Sequence, residues 1–325
     1  MIGSTKTPGA PTLTAFVAVV ILGGCNFLAV RVSNGELAPF WGAGIRFSLA
    51  AAIFVVVAWS LRLVWPRGRQ LALIAIYGLF NITLSYALMY WALVRVTAGM
   101  TVVILAMVPL ITSLLAVAQR LEPLNRRMVL GAVSALGGIL LMTVGPNGLM
   151  LPLGGLVAVL AAALALGEGV ILGKKVSSSH PVMTNAVGMS VGSPLLLALS
   201  LIAGERWALP SEPDTVLAIA YLVVLGSVGL FVLVLLVVRR WTASVTSYVF
   251  VLFPVVTMLV EAWLLNEPLT LRGISGALVV MAAVWFGALS RPSRGSTQRS
   301  PMLPLKEYSA GPTIQATPSR KSTEA

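Results

Sequence analysis

Charged side chains are scarce in this chain. They make up 10% of its 325 residues, whereas hydrophobic residues make up 58%. A soluble domain carries roughly 25% charged residues and could not keep so much apolar surface from water. Segments of about ten alternating apolar and polar residues, typical of a membrane β-barrel, are absent as well. The composition therefore predicts an all-α polytopic membrane protein.

Cysteine and histidine are almost absent too. Cys25 is the single cysteine, so an intramolecular disulfide and a cysteine metal cluster are excluded. The one histidine, His180, is too far along the chain to serve the serine-hydrolase pattern Gly188-x-Ser190-x-Gly192, which indicates helix packing instead. There is no Walker-type loop and no cofactor motif. The sequence predicts no enzyme, no cofactor and no metal site.

Positive charge is distributed unevenly along the chain. The net charge is +12, but the basic residues lie in short loops and a tail rather than on one face, which argues against nucleic acid as a partner. Seventeen of the 22 Lys and Arg fall on one side of the predicted membrane and four on the other, and Arg46 lies within a span. The positive-inside rule then places both termini in the cytoplasm of a multi-pass inner-membrane protein. Arg46, a structural residue in this interpretation, either reaches outward to the interface or pairs with a carboxylate such as Glu261.

Ten apolar runs are long enough to be transmembrane helices. Residues 1–12 are predicted to form a cytoplasmic leader, and residues 291–325 a disordered basic tail. The predicted spans are residues 13–32, 39–61, 71–93, 98–118, 128–144, 153–175, 181–203, 215–238, 243–265 and 272–289.

One stretch of the chain occurs twice, at residues 95–131 and 240–276, with a constant shift of 145 residues. Ten chemically distinctive residues recur: Thr97, Ala98, Thr101, Pro109, Thr112, Leu114, Glu122, Pro123, Leu124 and Arg127 match Thr242, Ala243, Thr246, Pro254, Thr257, Leu259, Glu267, Pro268, Leu269 and Arg272. We therefore expect two five-helix repeats, residues 13–145 and 153–290. Because five is odd, the second repeat must enter the membrane inverted, as in many secondary transporters.

Two residue pairs within the repeat have candidate roles. Pro109 and Pro254 lie near the centres of their spans, where proline removes a backbone hydrogen bond, and they are predicted hinges. Glu122 and Glu267 follow those spans. They could be paired carboxylates for proton transfer, but a position just before the next helix favours a structural role beside its positive N-terminus.

Polar residues within the spans are the candidates for substrate binding. Glu168 lies near the middle of span 6 and Asn26 at the corresponding depth of span 1, and an ionisable residue inside a membrane is a functional candidate by default. In span 3, Tyr77, Asn81 and Ser85 recur every fourth residue and share one helix face, which could line an aqueous cavity. Tyr86, in contrast, is assigned to packing or to the interfacial belt.

The order of these motifs resembles that of EamA-type permeases of the drug/metabolite transporter superfamily. The resemblance covers residues 13–290 and includes Asn26-Phe27, Arg46-Phe47, the run from Ala92 to Ala98, and Pro109, Glu122-Pro123-Leu124 and Gly131 with their second copies. Two departures, Gly24-Cys25 and the surroundings of Glu168, lie in the expected cavity. The resemblance implies a ten-helix carrier that moves small metabolites, often outward, without ATP hydrolysis.

The function expected from these observations is secondary transport of a small molecule through a midplane cavity between the repeats, with efflux as the expected direction. The lipid bilayer is the implied surrounding, and a coupling proton is an open alternative. A channel-like or non-transporting membrane scaffold is the competing interpretation, and a membrane-embedded enzyme is less favoured because clustered His, Asp and Cys are missing. The substrate and the oligomeric state are not predicted.

Overall fold

Ten apolar helices make up the part of the fold that the structure describes. The computed structural model describes residues 10–145, 148–149, 152–176, 178–230, 233, 248–266 and 269–289. The helices are α1 (Ala10–Ser33), α2 (Pro39–Ser60), α3 (Gly68–Leu93), α4 (Ala98–Ala118), α5 (Arg126–Thr143), α6 (Leu153–Lys175), α7 (Pro181–Ile202), α8 (Pro213–Gly229), α9 (Tyr248–Leu264) and α10 (Leu271–Val284, continued as a π-helix over Trp285–Leu289). A two-residue antiparallel pair, β1 (Val144–Gly145) with β2 (Gly148–Leu149), follows α5.

These helices confirm the predicted all-helical class. The first seven are long and apolar enough to cross a membrane, and the described parts of α8, α9 and α10 are shorter apolar helices. Apart from the end of α8 and the start of α9, which border residues that the structure does not describe, the helix ends agree with the predicted spans to within three residues. Most of the predicted leader, the predicted tail, Glu267 and Pro268, and the junction of predicted spans 8 and 9 lie outside the described residues.

Local sequence signals explain where several helices begin. Proline stands in the first turn of α2, α7 and α8, where its missing N–H has no helical partner to lose. Thr97 precedes α4, and its hydroxyl accepts a hydrogen bond from the Met100 N–H at 3.3 Å. Thr270 caps α10 in the same way, accepting from the Gly273 N–H at 3.0 Å.

Helix packing follows the same plan in both halves. The helix α1 packs against α9 and α8, while α6, its counterpart in the second half, packs against α4 and α3. The pairs α2–α7 and α5–α10 each join counterparts directly. If each helix is replaced by its counterpart in the other half, every contact in this set becomes a contact that is also in the set.

The α5–α10 contact is reciprocal and antiparallel. A Cβ at Gly131, early in α5, would lie 2.8 Å from the Cα of Gly287, late in α10. A Cβ at Gly276, earlier in α10, would lie 2.7 Å from the carbonyl oxygen of Gly138, later in α5. Gly131 and Gly276 are themselves related by the 145-residue shift, so equivalent positions make equivalent close approaches.

Two π-helical segments are also related by the shift of 145 residues. One covers Leu79–Leu84 in α3 and the other Val224–Gly229 in α8, and both ends differ by 145 residues. A π segment interrupts the regular backbone hydrogen bonding of a helix and frequently marks a functional site. The structural equivalence of the halves thus extends beyond the stretch in which the sequence repeat is evident.

Carboxylates join the two halves at the end of the bundle where α2 and α8 begin. The Glu205 carboxylate, in the connection between α7 and α8, accepts hydrogen bonds from the backbone N–H groups of Phe40 at 3.1 Å and Trp41 at 2.8 Å. It therefore caps the N-terminus of α2, where a negative charge is favoured. The indole rings of Trp41 and Trp207 stack beside it at 4.4 Å.

Glu36 makes the converse connection, from the first half to the start of α8. Its carboxylate accepts hydrogen bonds from the Ser211 hydroxyl at 2.6 Å and backbone N–H at 2.7 Å, and these contacts lower the pKa of Glu36 to about 2. A carboxyl group whose folded-state pKa is lowered stabilises the fold above its ordinary pKa, and loses that contribution as pH falls toward the folded value.

We therefore expect the thermal stability of the wild type to exceed that of Glu36→Gln at pH 6, and the difference to disappear between pH 4.5 and pH 2. Unfolding temperatures of both proteins in detergent, measured across this range, provide the test. Parallel pH profiles of the two proteins would contradict the assignment, because other carboxyl groups titrate identically in both.

Candidate functional site

A cavity of about 280 Å³ lies between helices of both halves. This volume is just below the roughly 300–1,000 Å³ that is usual for small-molecule sites. Its polar wall comprises Asn26, Arg46, Tyr77, Asn81, Ser85 and Tyr86. The remaining wall is apolar and comprises Gly23, Phe27, Met89, Val102, Leu105, Ala106, Val108, Leu166, Leu230, Val249, Phe250 and Phe253.

Four of the five predicted binding residues line this cavity. Asn26 comes from α1, and Tyr77, Asn81 and Ser85 form a stripe along α3. The stripe is internally bonded: the Asn81 side-chain amide donates to the Tyr77 hydroxyl at 3.0 Å, and the Ser85 hydroxyl donates to the Asn81 carbonyl at 2.7 Å. The π segment of α3 includes Asn81, at the centre of the stripe.

Glu168, the fifth predicted residue, lies outside the cavity wall. Its half-buried carboxylate accepts a hydrogen bond from the exposed Gln119 side chain at 2.6 Å. The neighbouring glycines do not leave space beside its carboxylate, because they pack against α3. A Cβ at Gly169 would lie 2.9 Å from Asn81, and one at Gly173 would lie 3.5 Å from the Tyr77 ring. Successive helix residues point about 100° apart, so the glycine face packs on α3 and Glu168 points elsewhere. Its functional role stays a prediction.

Arg46 lies in the cavity wall and is buried, with 1% of its surface exposed. Its Nε donates to the Ser227 hydroxyl at 3.1 Å, Nη2 to the Gly226 carbonyl at 3.2 Å, and Nη1 to the Tyr90 hydroxyl at 3.4 Å. Both sequence alternatives for Arg46 are wrong: the side chain does not reach an interface, and the carboxylate of Glu261 pairs with Arg31 instead.

The π segment of α8 provides two of the three acceptors for Arg46. The Gly226 carbonyl also accepts from the Asn26 side-chain amide at 3.2 Å, so α1 and α2 both bind α8 at this point. A Cβ at position 226 would lie 2.1 Å from the Asn26 Oδ1. Glycine is therefore required there for Asn26 to approach the backbone.

Aromatic rings form much of the remaining wall. The Tyr86 ring lies 5.3 Å from the Arg46 guanidinium and packs edge-on against Phe47 at 4.5 Å. The Phe253 ring contacts Phe27 at 6.5 Å and Phe250 at 5.7 Å between centroids. The sequence analysis did not place Phe27, Phe250 or Phe253 in the cavity, and it assigned Tyr86 to packing or to the interfacial belt.

The repeat itself contained a signal for part of this wall. Three pairs of wall residues are related by the shift of 145: Ser85 with Leu230, Leu105 with Phe250, and Val108 with Phe253. Because Ser85 was predicted to line the cavity, the repeat predicts that its counterpart, Leu230, lines it as well. The last two pairs stand just before Pro109 and Pro254.

The two predicted hinges differ in the structure. The helix α4 is broken into Ala98–Leu105 and Val108–Ala118, and Pro109 follows the break directly. The helix α9, in contrast, continues through Pro254 without interruption. Of α4 and the described part of α9, only α4 thus has a break at the edge of the cavity, and the role of either proline as a hinge stays a prediction.

Of the two glutamates that end the repeat motif, one can be described. Glu122 is half-buried in the connection between α4 and α5, four residues before α5 begins at Arg126. Glu267 lies outside the described residues. The predicted structural role therefore stays a prediction for both.

Glu261, which the sequence analysis named only as a partner for Arg46, caps α4. The carboxylate is buried, with 4% of the residue exposed. It accepts hydrogen bonds from the backbone N–H of Ala98 at 2.7 Å and of Gly99 at 2.6 Å, and it pairs with Arg31. Glu261 therefore joins α9 of the second half to α1 and α4 of the first.

These features define a polytopic helical membrane protein with a solute-sized cavity between two similar halves. The model of the EamA-like transporter family matches the chain twice, over residues 10–144 and 153–288. The chain therefore belongs to the EamA-like transporter family, which confirms the resemblance found in the sequence and makes it a membrane transporter.

Named relatives and a solved structure agree with this assignment. The chain is 29% identical over 281 residues to the "Uncharacterized inner membrane transporter YedA" of Escherichia coli K12, covering 84% of this chain and 90% of that protein. It is 28% identical over 284 residues to the "Probable amino-acid metabolite efflux pump" of Salmonella typhimurium LT2, covering 82% and 91%. A solved crystal structure shares the fold, with a TM-score of 0.60 at 16% identity over 86% of this chain and 97% of that one.

Proposed function

We propose that this protein is a secondary transporter that exports small metabolites across the inner membrane by alternating access to the cavity lined by Arg46. The observation that carries the proposal is the position of that cavity: helices α1 to α4 of the first half and α6, α8 and α9 of the second contribute to its wall. A movement of one half relative to the other would change its access. The name of the Salmonella relative supports the outward direction.

An inverted repeat is the second part of this proposal. The antiparallel, reciprocal contact of α5 with α10 and the equivalent π segments support it, since five helices per half place equivalent helices in opposite directions. Substrate sites of such transporters lie near the midplane between the repeats. Both termini are then cytoplasmic, as the distribution of Lys and Arg indicates.

The proposed orientation predicts opposite labelling of two exposed loop positions in a Cys25→Ser background. Leu209, in the connection between α7 and α8, is 79% exposed, and Val64, between α2 and α3, is 91% exposed. Leu209→Cys should react with an impermeant thiol reagent in intact cells, and Val64→Cys only after permeabilisation. The reverse pattern would refute the orientation.

Counterflow in proteoliposomes tests transport itself. Vesicles loaded with an unlabelled solute should accumulate the same labelled solute transiently, because a carrier exchanges solute through a site that opens to one side at a time. A channel-like protein would equilibrate label without this overshoot. A screen of metabolites that finds no overshoot in any case would refute the proposed function.

The break in α4 predicts unequal effects for the two prolines. Pro109→Ala restores a backbone donor for the Leu105 carbonyl and closes the break, so exchange should slow several-fold if α4 must bend during transport. Pro254→Ala should slow exchange less, because α9 is already continuous. Exchange rates at matched protein content provide the measurement, and equal rates in the wild type and both variants would exclude a hinge role.

A further inference from the structure

The Arg46 guanidinium is the one charged group in the part of the cavity wall that the structure describes. Its three acceptors, the Ser227 and Tyr90 hydroxyls and the Gly226 carbonyl, are neutral. None of the described carboxylates forms an ion pair with it. A buried charge is costly unless it is paired, and in a membrane an unpaired arginine marks a functional site by default. The cavity thus holds one positive charge that the described part of the protein does not neutralise.

The Arg46 guanidinium also has more N–H donors than it has acceptors among the described residues. It carries five N–H groups, and the structure directs three of them at Ser227, Gly226 and Tyr90. Two have no acceptor among the described residues. A carboxylate accepts two parallel hydrogen bonds from an arginine, and such charge-assisted pairs are roughly twice as strong as neutral hydrogen bonds.

The rest of the cavity suits an apolar group. Phe27, Phe250 and Phe253 add an aromatic surface to the cavity wall, and the volume of about 280 Å³ limits the ligand to a small molecule. One carboxylate would neutralise Arg46, whereas a phosphate, with a charge of about −1.5 to −2 at neutral pH, would leave an excess negative charge in an apolar enclosure.

We propose that Arg46 binds the carboxylate of a small monocarboxylate whose apolar body lies against Phe27, Phe250 and Phe253. This inference rests on the proposed function, since it names the class of substrate that the cavity selects. The contacts of Arg46 with α8 hold its guanidinium at the wall, and the spare donors select the anion.

Binding to matched pairs of acids and amides tests the proposal. The probes are isovalerate with isovaleramide, 3-phenylpropionate with 3-phenylpropionamide, and N-acetylleucine with its amide, together with phenyl phosphate, all on the purified full-length protein. At least one acid should bind about 10- to 100-fold more tightly than its amide, as expected for hydrogen bonds to a charged group. Arg46→Gln should reduce that acid to the affinity of its amide.

Two further variants separate recognition from structure. Ser227→Ala removes one acceptor of Arg46 but keeps the charge, so the preference for the acid should persist. If Arg46→Gln does not fold, Arg46→Lys takes its place. Lysine keeps the positive charge but lacks the planar guanidinium that can donate two parallel hydrogen bonds. The acid should therefore bind about tenfold more weakly to Arg46→Lys than to the wild type, and the affinity of the amide should not change. An acid affinity in Arg46→Lys equal to that of the wild type would then overturn the proposal.

Three other results would overturn the proposal. They are that no acid binds more tightly than its amide in the wild type, that the preference for the acid survives in Arg46→Gln, or that phenyl phosphate binds more tightly than 3-phenylpropionate. Counterflow distinguishes this failure from a failure of the proposed function. Overshoot with uncharged solutes alone would retain the transporter and reject carboxylate selection. Arg46-dependent binding of an acid without counterflow of any solute would retain the site and reject transport.

Discussion

Glu261→Gln should destabilise the folded protein by about 3–5 kcal/mol, the usual cost of removing one partner from a buried ion pair. The carboxylate uses both oxygens on the N–H groups of Ala98 and Gly99, and it also pairs with Arg31. Glutamine offers one acceptor oxygen and places an NH₂ group against the other backbone donor. One buried backbone N–H would then lose its acceptor, and Arg31 would lose its ion pair with the carboxylate.

Equilibrium unfolding in mixed detergent micelles would measure this change, and two comparisons make it specific. Glu168→Gln is the matched control, because it makes the same substitution at a half-buried carboxylate with one exposed partner, Gln119, and should cost under about 1 kcal/mol. A double-mutant cycle with Arg31→Gln would isolate the ion pair from the cap. Additive effects of Arg31→Gln and Glu261→Gln, or equal costs at positions 168 and 261, would contradict this account.

The helices and part of the cavity could be predicted because they depend on local patterns. Apolar runs with proline or threonine at their starts determine where the helices begin, and recurrence every fourth residue placed Tyr77, Asn81 and Ser85 on one face. The environment of Arg46 depends on residues about 180 positions away. Two of its three acceptors, Gly226 and Ser227, lie in a π segment that no local pattern indicated.

The contacts of Glu168 could not be predicted from the sequence for a related reason. Depth along a helix can be counted from the sequence, but the direction of a side chain depends on which face packs inward. Gly169 and Gly173 determine that face by admitting Asn81 and Tyr77 of α3, and this turns position 168 toward Gln119. Glycines beside a charged residue therefore indicated a helix contact and not a cavity.

The two halves differ at the cavity. Asn81 and Gly226 are equivalent positions, and both lie in π segments. One presents an amide side chain to the cavity wall, and the other a bare carbonyl that receives Asn26 and Arg46. Two positions related by the 145-residue shift thus present different groups to their neighbours.

The crossing of α3 and α7 should be the least tolerant of an added methyl group, and Gly78→Ala is expected to destabilise the protein by at least about 1–3 kcal/mol. A Cβ at Gly78 would lie 2.4 Å from the carbonyl oxygen, 2.9 Å from the Cα and 3.0 Å from the carbonyl carbon of Gly188. All three are backbone atoms, so no side-chain rotation relieves the overlap. The helices must separate instead, and α3 carries Tyr77 and Asn81 with it.

Gly137→Ala provides the matched control, because position 137 also lies within a helix but a Cβ there would meet nothing within 4 Å. Alanine is favoured over glycine in a helix by roughly 0.5–1 kcal/mol, so this variant should be slightly more stable than the wild type. The two alanine variants are thus expected to change the free energy of unfolding in opposite directions. If both shifted it in the same direction, the close approach of Gly78 to Gly188 would not limit packing, and the position of the α3 stripe in the cavity would need another cause.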